Sequence, residues 1–267
     1  MGIIDYNSPL RVLVSVKGHP FARDAFSEMF DSFEGIAHTL VEQPATHDLL
    51  RTEVVDRWDA IVFYDMPGID FSEQPPRLVP PPQRLKDDFQ ALLEAGKGLV
   101  FLHHAIAGWP LWPEYGDVIG GRFFYLPAQC RGQQVLDSGY RHDVNHRATV
   151  LDQAHPVAAG VEPEFALTDE LYHYRVFDSE VTPLLCSDYE FERDNFYSAA
   201  QAVTGTMYSN EDWYPPTGSS LLGWTRRCVN SPVVYLQPGD GPATFTNESY
   251  RRLVQNAIRW VAGAQDS

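Results

Sequence analysis

The chain of 267 residues carries 20 Lys and Arg against 36 Asp and Glu, a net charge of −16, with 44% hydrophobic and 21% charged residues. This balance excludes a disordered chain and repels phosphodiester backbones and anionic lipid, so neither nucleic acid nor a membrane is expected as a partner. No apolar run reaches a membrane-spanning length, and Met-Gly-Ile-Ile-Asp-Tyr lacks the features of a signal peptide, which makes a cytoplasmic location the default expectation.

In chain order, residues 10–16 read as a strand ending at Lys17-Gly18-His19-Pro20. A helix follows over 22–30, with Phe26, Met29 and Phe30 at helical spacing. Residues 36–41 form a second strand and 59–65 a third, closed by Met66-Pro67-Gly68. The stretch 74–82 holds five prolines and reads as a surface loop. The next helix carries Leu85, Phe89, Leu92 and Leu93 on one stripe, with Gly96 as its C-terminal cap. Residues 98–102 are a continuous apolar run, the mark of a strand buried on both faces.

From about 122 to 231 the pattern changes to Tyr, Asp, Asn and Pro with short extended runs at 133–136, 148–151 and 182–186. This region is expected as antiparallel strands and loops inserted into a single domain spanning 1–267. Strand patterns return at 220–225 and 232–237, and the last helix places Tyr250, Leu253, Val254, Ala257, Ile258 and Val261 on one stripe. The βαβα order implies α/β architecture with a mostly parallel central sheet and right-handed crossovers.

Open α/β sheets bind ligands outside the carboxyl ends of their strands, and the apolar run stops there at His103-His104. Imidazole suits proton transfer or metal binding. Neighbouring strand residues point to opposite faces, so both histidines reach one pocket only if the strand has already turned. Behind them, Trp109-Pro-Leu-Trp-Pro-Glu-Tyr115 puts Pro113 at a first helical position and Glu114 just inside the helix. There Glu114 serves either the helix dipole or the histidines. For Trp109 and Trp112, core packing and stacking on a sugar face are both open.

A third group, Thr168-Asp169-Glu170-Leu171-Tyr172-His173, combines carboxylates with an imidazole suited to acid–base or metal chemistry. In an extended strand Glu170 and His173 point to opposite faces. The loop ends at His19, Asp65 and Asp240 gather at the same edge as His103. No phosphate loop or dinucleotide fingerprint occurs, so no nucleotide cofactor is expected. No G-x-S-x-G elbow is present, and Cys130, Cys186 and Cys228 have neither C-x-x-C spacing nor a place at a strand-to-helix turn.

These segments resemble the trehalose-utilisation (ThuA-like) family. The resemblance rests on Gly18-His19-Pro20-Phe21-x-Arg23-Asp24, on residues 63–68, on 96–104, on Trp109-Pro-x-Trp-Pro-Glu-Tyr115 and on Gly120-Gly-Arg-Phe123. It continues through His155-Pro156, Asp169-Glu170-Leu171-Tyr172 and residues 251–262. It implies a flavodoxin-like three-layer sandwich similar to class I glutamine amidotransferases. True amidotransferases carry a nucleophilic cysteine at the elbow where this chain has His103-His104-Ala105, so glutaminase activity is not implied. Relatives with Gly-His-Gly at the last strand end differ from Gly239-Asp240-Gly241 here.

The resemblance further implies a carbohydrate substrate, through disaccharide breakdown by way of 3-keto sugars, and a homo-oligomer. The expected enzyme uses His103, His104, Glu114, Glu170 and His173 for acid–base work. His19, Asp65, Trp109, Trp112, Arg122, Tyr172 and Asp240 are expected to hold substrate. A divalent metal, zinc or manganese, is a candidate cofactor on His103, His104 and His173. The competing reading is a non-catalytic sugar-binding or sensing module, and a third is a protein using the fold only for assembly.

Overall fold

The computed structural model describes residues 7–264. Nine of its strands and helices follow the apolar runs of the first and last parts of the chain. Strands β1 (Leu10–Lys17), β2 (Ile36–Glu42), β3 (Ala60–Asp65) and β4 (Gly98–Leu102) alternate with helices α1 (Arg23–Asp31) and α2 (Gln83–Ala95). After β4 come α3 (Pro113–Ile119), β5 (Gly139–Val150), β6 (Glu164–His173) and β7 (Thr182–Ser187). The chain ends with β8 (Leu221–Cys228), β9 (Ser231–Leu236) and α4 (Glu248–Val261). One ten-stranded sheet runs β6-β5-β7-β8-β9-β4-β3-β1-β2, with Tyr197–Ser198 paired to β5.

The stretch β9-β4-β3-β1-β2 is parallel, and its strands carry helices on both faces. In β3 and β4, Val62, Tyr64, Val100 and Leu102 pack with Phe26 and Phe30 of α1 and with Leu253, Val254 and Ile258 of α4. Their neighbours Ile61, Phe63, Leu99 and Phe101 pack with Leu85, Phe89 and Leu92 of α2 and Tyr115 and Val118 of α3. Both strands are therefore buried on two sides, which is why they read as continuous apolar runs. Gly98 is required by contact: a Cβ there would lie 2.2 Å from the Val261 carbonyl oxygen.

The remaining strands extend the sheet from the open edge of β9 by antiparallel pairing. The edge strand β6 then returns over the carboxyl ends of the parallel strands. Gln237 Nε2 donates to the Glu170 carbonyl at 2.8 Å, and the Gly239 and Asp240 amides donate to the Asp169 carboxylate at 2.7 and 3.0 Å. Asp169 thereby satisfies backbone donors of a loop that has no sheet partner. The proline-rich stretch is less irregular than its composition implies, because Arg77–Leu78 pairs with Ile69–Asp70 as a small hairpin. No helix among the described residues is long and apolar enough to cross a membrane.

Candidate active site

Strand β4 stops at Leu102, and His103–Ala107 form one turn of 3-10 helix, so the two histidines leave the strand before their side chains are placed. His103 has φ +47, the left-handed region that a non-glycine residue enters at a cost of about 1–3 kcal/mol. Its surroundings hold it there. Tyr235 donates to the His103 carbonyl at 3.0 Å, and His103 Nδ1 donates to the Gln237 carbonyl at 2.7 Å. Gly239, at φ +135, passes close to the elbow, where a Cβ would meet the Tyr250 hydroxyl at 2.6 Å.

With Nδ1 committed to a carbonyl, His103 presents Nε2 to the space beneath β6. Glu170 Oε2 lies 3.2 Å away, the Tyr172 hydroxyl 2.9 Å and Asp240 Oδ1 3.6 Å. Complete burial by itself lowers the pKa of His103, but hydrogen bonds and charge from Asp240 and Glu170 outweigh it and lift the pKa to about 10. Burial likewise raises the Asp240 carboxyl, and His103 then brings it down to about 2. Burial and the facing carboxylates push the Tyr172 phenol well above its ordinary value, so it remains a hydrogen-bond donor.

His104 is turned away from this group. Its Nε2 donates to the Tyr64 carbonyl at 3.0 Å and its ring packs on Tyr64 and His19 at 4.3 and 4.7 Å. Burial, then the charges of His103 and His19, drives its pKa well down, so the ring is neutral scaffold. Of the two candidate histidines only His103 meets the carboxylates, and His104 is corrected from a candidate catalytic and metal-binding residue to a scaffold one.

A cavity of about 620 Å³ opens above Glu170 and Tyr172. Lys17, His19 and His142 supply its other polar groups, and Phe123, Tyr125 and Tyr140 its aromatic walls. His142 Nδ1 lies 3.3 Å from Glu170 Oε1, so the carboxylate is gripped by imidazoles on both oxygens. Burial followed by the His103 charge lowers the pKa of His19, and Glu170 and Asp240 only partly offset this.

The expectation missed His142, and its position explains why. Unbroken alternation along β5 would put residues 140, 142, 144, 146, 148 and 150 on one face. The pairing of β5 with β6 slips between Arg141 and Val144, and Asp143 takes φ +55. Tyr140 and His142 therefore face the cavity, while Val144, Ala148 and Val150 face the core against the opposite side of the sheet. No residue type in the sequence marks that slip.

Several other expectations are also corrected. Glu114 stands exposed in the first turn of α3, suited to the helix dipole and outside the cavity. Trp109 and Trp112 are buried among His47, Gly68, Phe89 and Tyr115, where they pack as core. The Arg122 guanidinium donates to the Pro110 carbonyl and lies over Phe124 at 5.0 Å, tying two loops together. Asp65 is enclosed by Ser15 and Gln43, whose Oγ and Nε2 donate to it. Alternation in β6 turns His173 away from Glu170: its Nε2 donates to the Pro216 carbonyl at 3.0 Å, beside a separate cavity of about 370 Å³. It cannot join a metal site on His103.

Among the described residues, His103, Glu170 and Asp240 are a donor set with ligand atoms within 4.8 Å of one another. They fit a divalent cation, because the Nδ1 bond to Gln237 fixes the ring so that Nε2 points between the carboxylates, as in metal-ligating histidines.

The trehalose-utilisation (ThuA) family model matches residues 11–261. A ThuA-like protein from Parabacteroides merdae superposes with a TM-score of 0.63 at 15% identity, covering 95% of this chain and 90% of that one. One from Bacteroides uniformis gives 0.59 at 17% identity, covering 97% and 94%. PurLQS from Thermotoga maritima gives 0.51 at 11% identity, covering 94% and 98%, which agrees with an amidotransferase-like, flavodoxin-like fold. No match was found among curated proteins. The chain belongs to the trehalose-utilisation (ThuA) family.

Proposed function

We propose that the protein is an enzyme acting on a keto-sugar or keto-glycoside, with Glu170 as its base. The observation that carries this reading is the placement of Glu170. It is a buried carboxylate in the floor of an aromatic-walled cavity, held by His103 behind and His142 beside it. A carbonyl acidifies the C–H bond next to it, and a positioned carboxylate can take that proton. The bond's electron pair forms a carbon–carbon double bond as the carbonyl oxygen gains charge, and the Tyr172 hydroxyl is the cavity-lining donor for that oxygen.

Collapse of the enolate then breaks the glycosidic C–O bond, and the leaving oxygen takes its proton from the Glu170 carboxyl. The products are an unsaturated keto-sugar and a free alcohol, and the carboxylate is restored. His103 does not line the cavity, so its part is positional: it orients Glu170 and Tyr172 and balances the carboxylate charge.

The donor set of His103, Glu170 and Asp240 favours a second, metal-assisted form of this reading, with zinc or manganese as candidates. A divalent cation there would be held by His103, Glu170 and Asp240 and would supply Lewis-acid polarisation of a carbonyl. The test is turnover of 3-keto-glucosides, including 3-keto-trehalose, with and without added Zn²⁺ or Mn²⁺. Glu170→Gln should lose about a hundredfold or more in kcat while thermal unfolding remains cooperative. Activation by the cation selects the metal-assisted form. Unchanged turnover in the variant removes Glu170 as the base and overturns the proposed mechanism, and saturable sugar binding with no product in the parent chain overturns the enzyme in favour of a binding module.

A further inference from the structure

The two ends of the cavity differ in chemistry. The polar lining is Glu170, Tyr172, His142 and His19, with Lys17, whose Nζ is paired with Glu42 at 3.3 Å. The mouth is built by two segments from opposite sides: the hairpin carrying Phe71, and the helix Ala199–Val203 with the loop to Met207. Gln74 Nε2 donates to the Val203 carbonyl at 3.0 Å and joins them. Phe71 and Met207 line the cavity, yet they are 49% and 50% exposed. Met66, Ala202 and Val203 continue the apolar lining. Large exposed apolar side chains on the rim of a pocket mark a surface that a ligand covers.

We infer that the substrate is an amphiphilic glycoside, with its sugar ring at Glu170 and an apolar, aryl-type aglycone between Phe71 and Met207. This rests on the keto-glycoside reading and names the substrate class for it. A second sugar ring at the mouth would bring hydroxyls against Phe71, Val203 and Met207, which offer them no side-chain hydrogen bonds, and burying unpaired hydroxyls opposes binding. An aryl group buries its faces against the same three side chains and needs no donors. The aromatic and sulfur-bearing lining fits that occupant, since thioethers pack well on ring edges.

The experiment is calorimetric binding of phenyl glucosides of both anomeric configurations, methyl glucoside and trehalose to the full chain. None of these is oxidised, so the result does not depend on turnover. The better phenyl glucoside should bind about tenfold tighter than methyl glucoside, and trehalose no tighter than methyl glucoside. In Phe71→Ala/Met207→Ala the aryl preference should fall toward unity. Trehalose binding as tightly as phenyl glucoside, or no binding of any of them, overturns the inference. So does a dimer in sedimentation that the double variant dissociates, because the rim would then be a subunit interface. An aryl preference without keto-glycoside turnover keeps the substrate class and discards the reaction; turnover without the preference does the reverse.

Discussion

Asp65 and His103 stand at the carboxyl ends of two adjacent parallel strands, and both are completely buried. Their surroundings differ in what the antiparallel half of the sheet delivers. At His103 it brings Glu170 and Tyr172 on β6, and the loop after β9 adds Asp240. At Asp65 the side chains that donate to the carboxylate are the neutral Ser15 and Gln43, and Asp65 does not line the cavity above Glu170. A titratable side chain at the end of a sheet strand is therefore not yet a site. The charged partners and the ligand space come from residues distant in sequence.

The largest effect on this contrast, after loss of turnover in Glu170→Gln, is expected from His103→Ala. Removing the cation leaves the Glu170 and Asp240 carboxylates facing each other with His142 as the remaining imidazole beside Glu170, and a buried pair broken in this way costs about 3–5 kcal/mol. Urea unfolding at pH 7 measures it. A loss below about 1 kcal/mol would mean that the carboxylates are compensated by other groups, and the contrast with Asp65 would dissolve.

A smaller and opposite response is expected at Asp65. Burial outweighs the hydrogen bonds from Gln43 and Ser15 and raises its carboxyl from 3.8 to about 6. The folded state then holds this proton more tightly than the unfolded state, so the group's contribution falls as pH rises from about 4 to about 6 and stays low above that. The decline amounts to about 3 kcal/mol at most. Asp65→Asn should remove it, flattening the difference in unfolding free energy between pH 4 and pH 7. An unchanged pH profile in that variant would show that the carboxylate is not the penalised group.

The smallest effect is reserved for Glu114, which looked catalytic from its place after the elbow. Glu114→Gln should change stability by about 0.3–1 kcal/mol through the helix dipole and leave turnover as it is. A tenfold loss of turnover would return it to the site.

The parallel half of the sheet was legible because its strands are buried on both faces and its helices on one stripe. Periodicity records both conditions directly, as at Leu99 to Leu102 and at Tyr250 to Val261. The elbow was legible as a place, since the apolar run ends at His103. Its geometry was not, because the 3-10 turn that separates the directions of His103 and His104 depends on Tyr235, Gln237 and Gly239 far along the chain. Glu170 was found by residue type, and its facing opposite to His173 follows from strand alternation; His173 was kept at the site because it lies close to Glu170 in the chain. Trp109 and Trp112 were ambiguous for a simple reason: a ring that fills a core and a ring that stacks on a sugar carry the same sequence signal.

The slip in strand β5 has a consequence for how this cavity can change. Side-chain facing in a strand is a matter of phase, and one added or deleted residue shifts that phase by half a period. Between Arg141 and Val144 such a shift lets a single strand serve the cavity with its first residues and the opposite core with its later ones. Deletion of Asp143 would exchange Tyr140 and His142 for Gly139 and Arg141 in the cavity wall while Val144 onward stayed in place. A guanidinium beside Glu170 in place of an imidazole would set a permanent positive charge there without substituting any residue. Length variation at this one position is thus a compact route by which a shared scaffold acquires a different ligand.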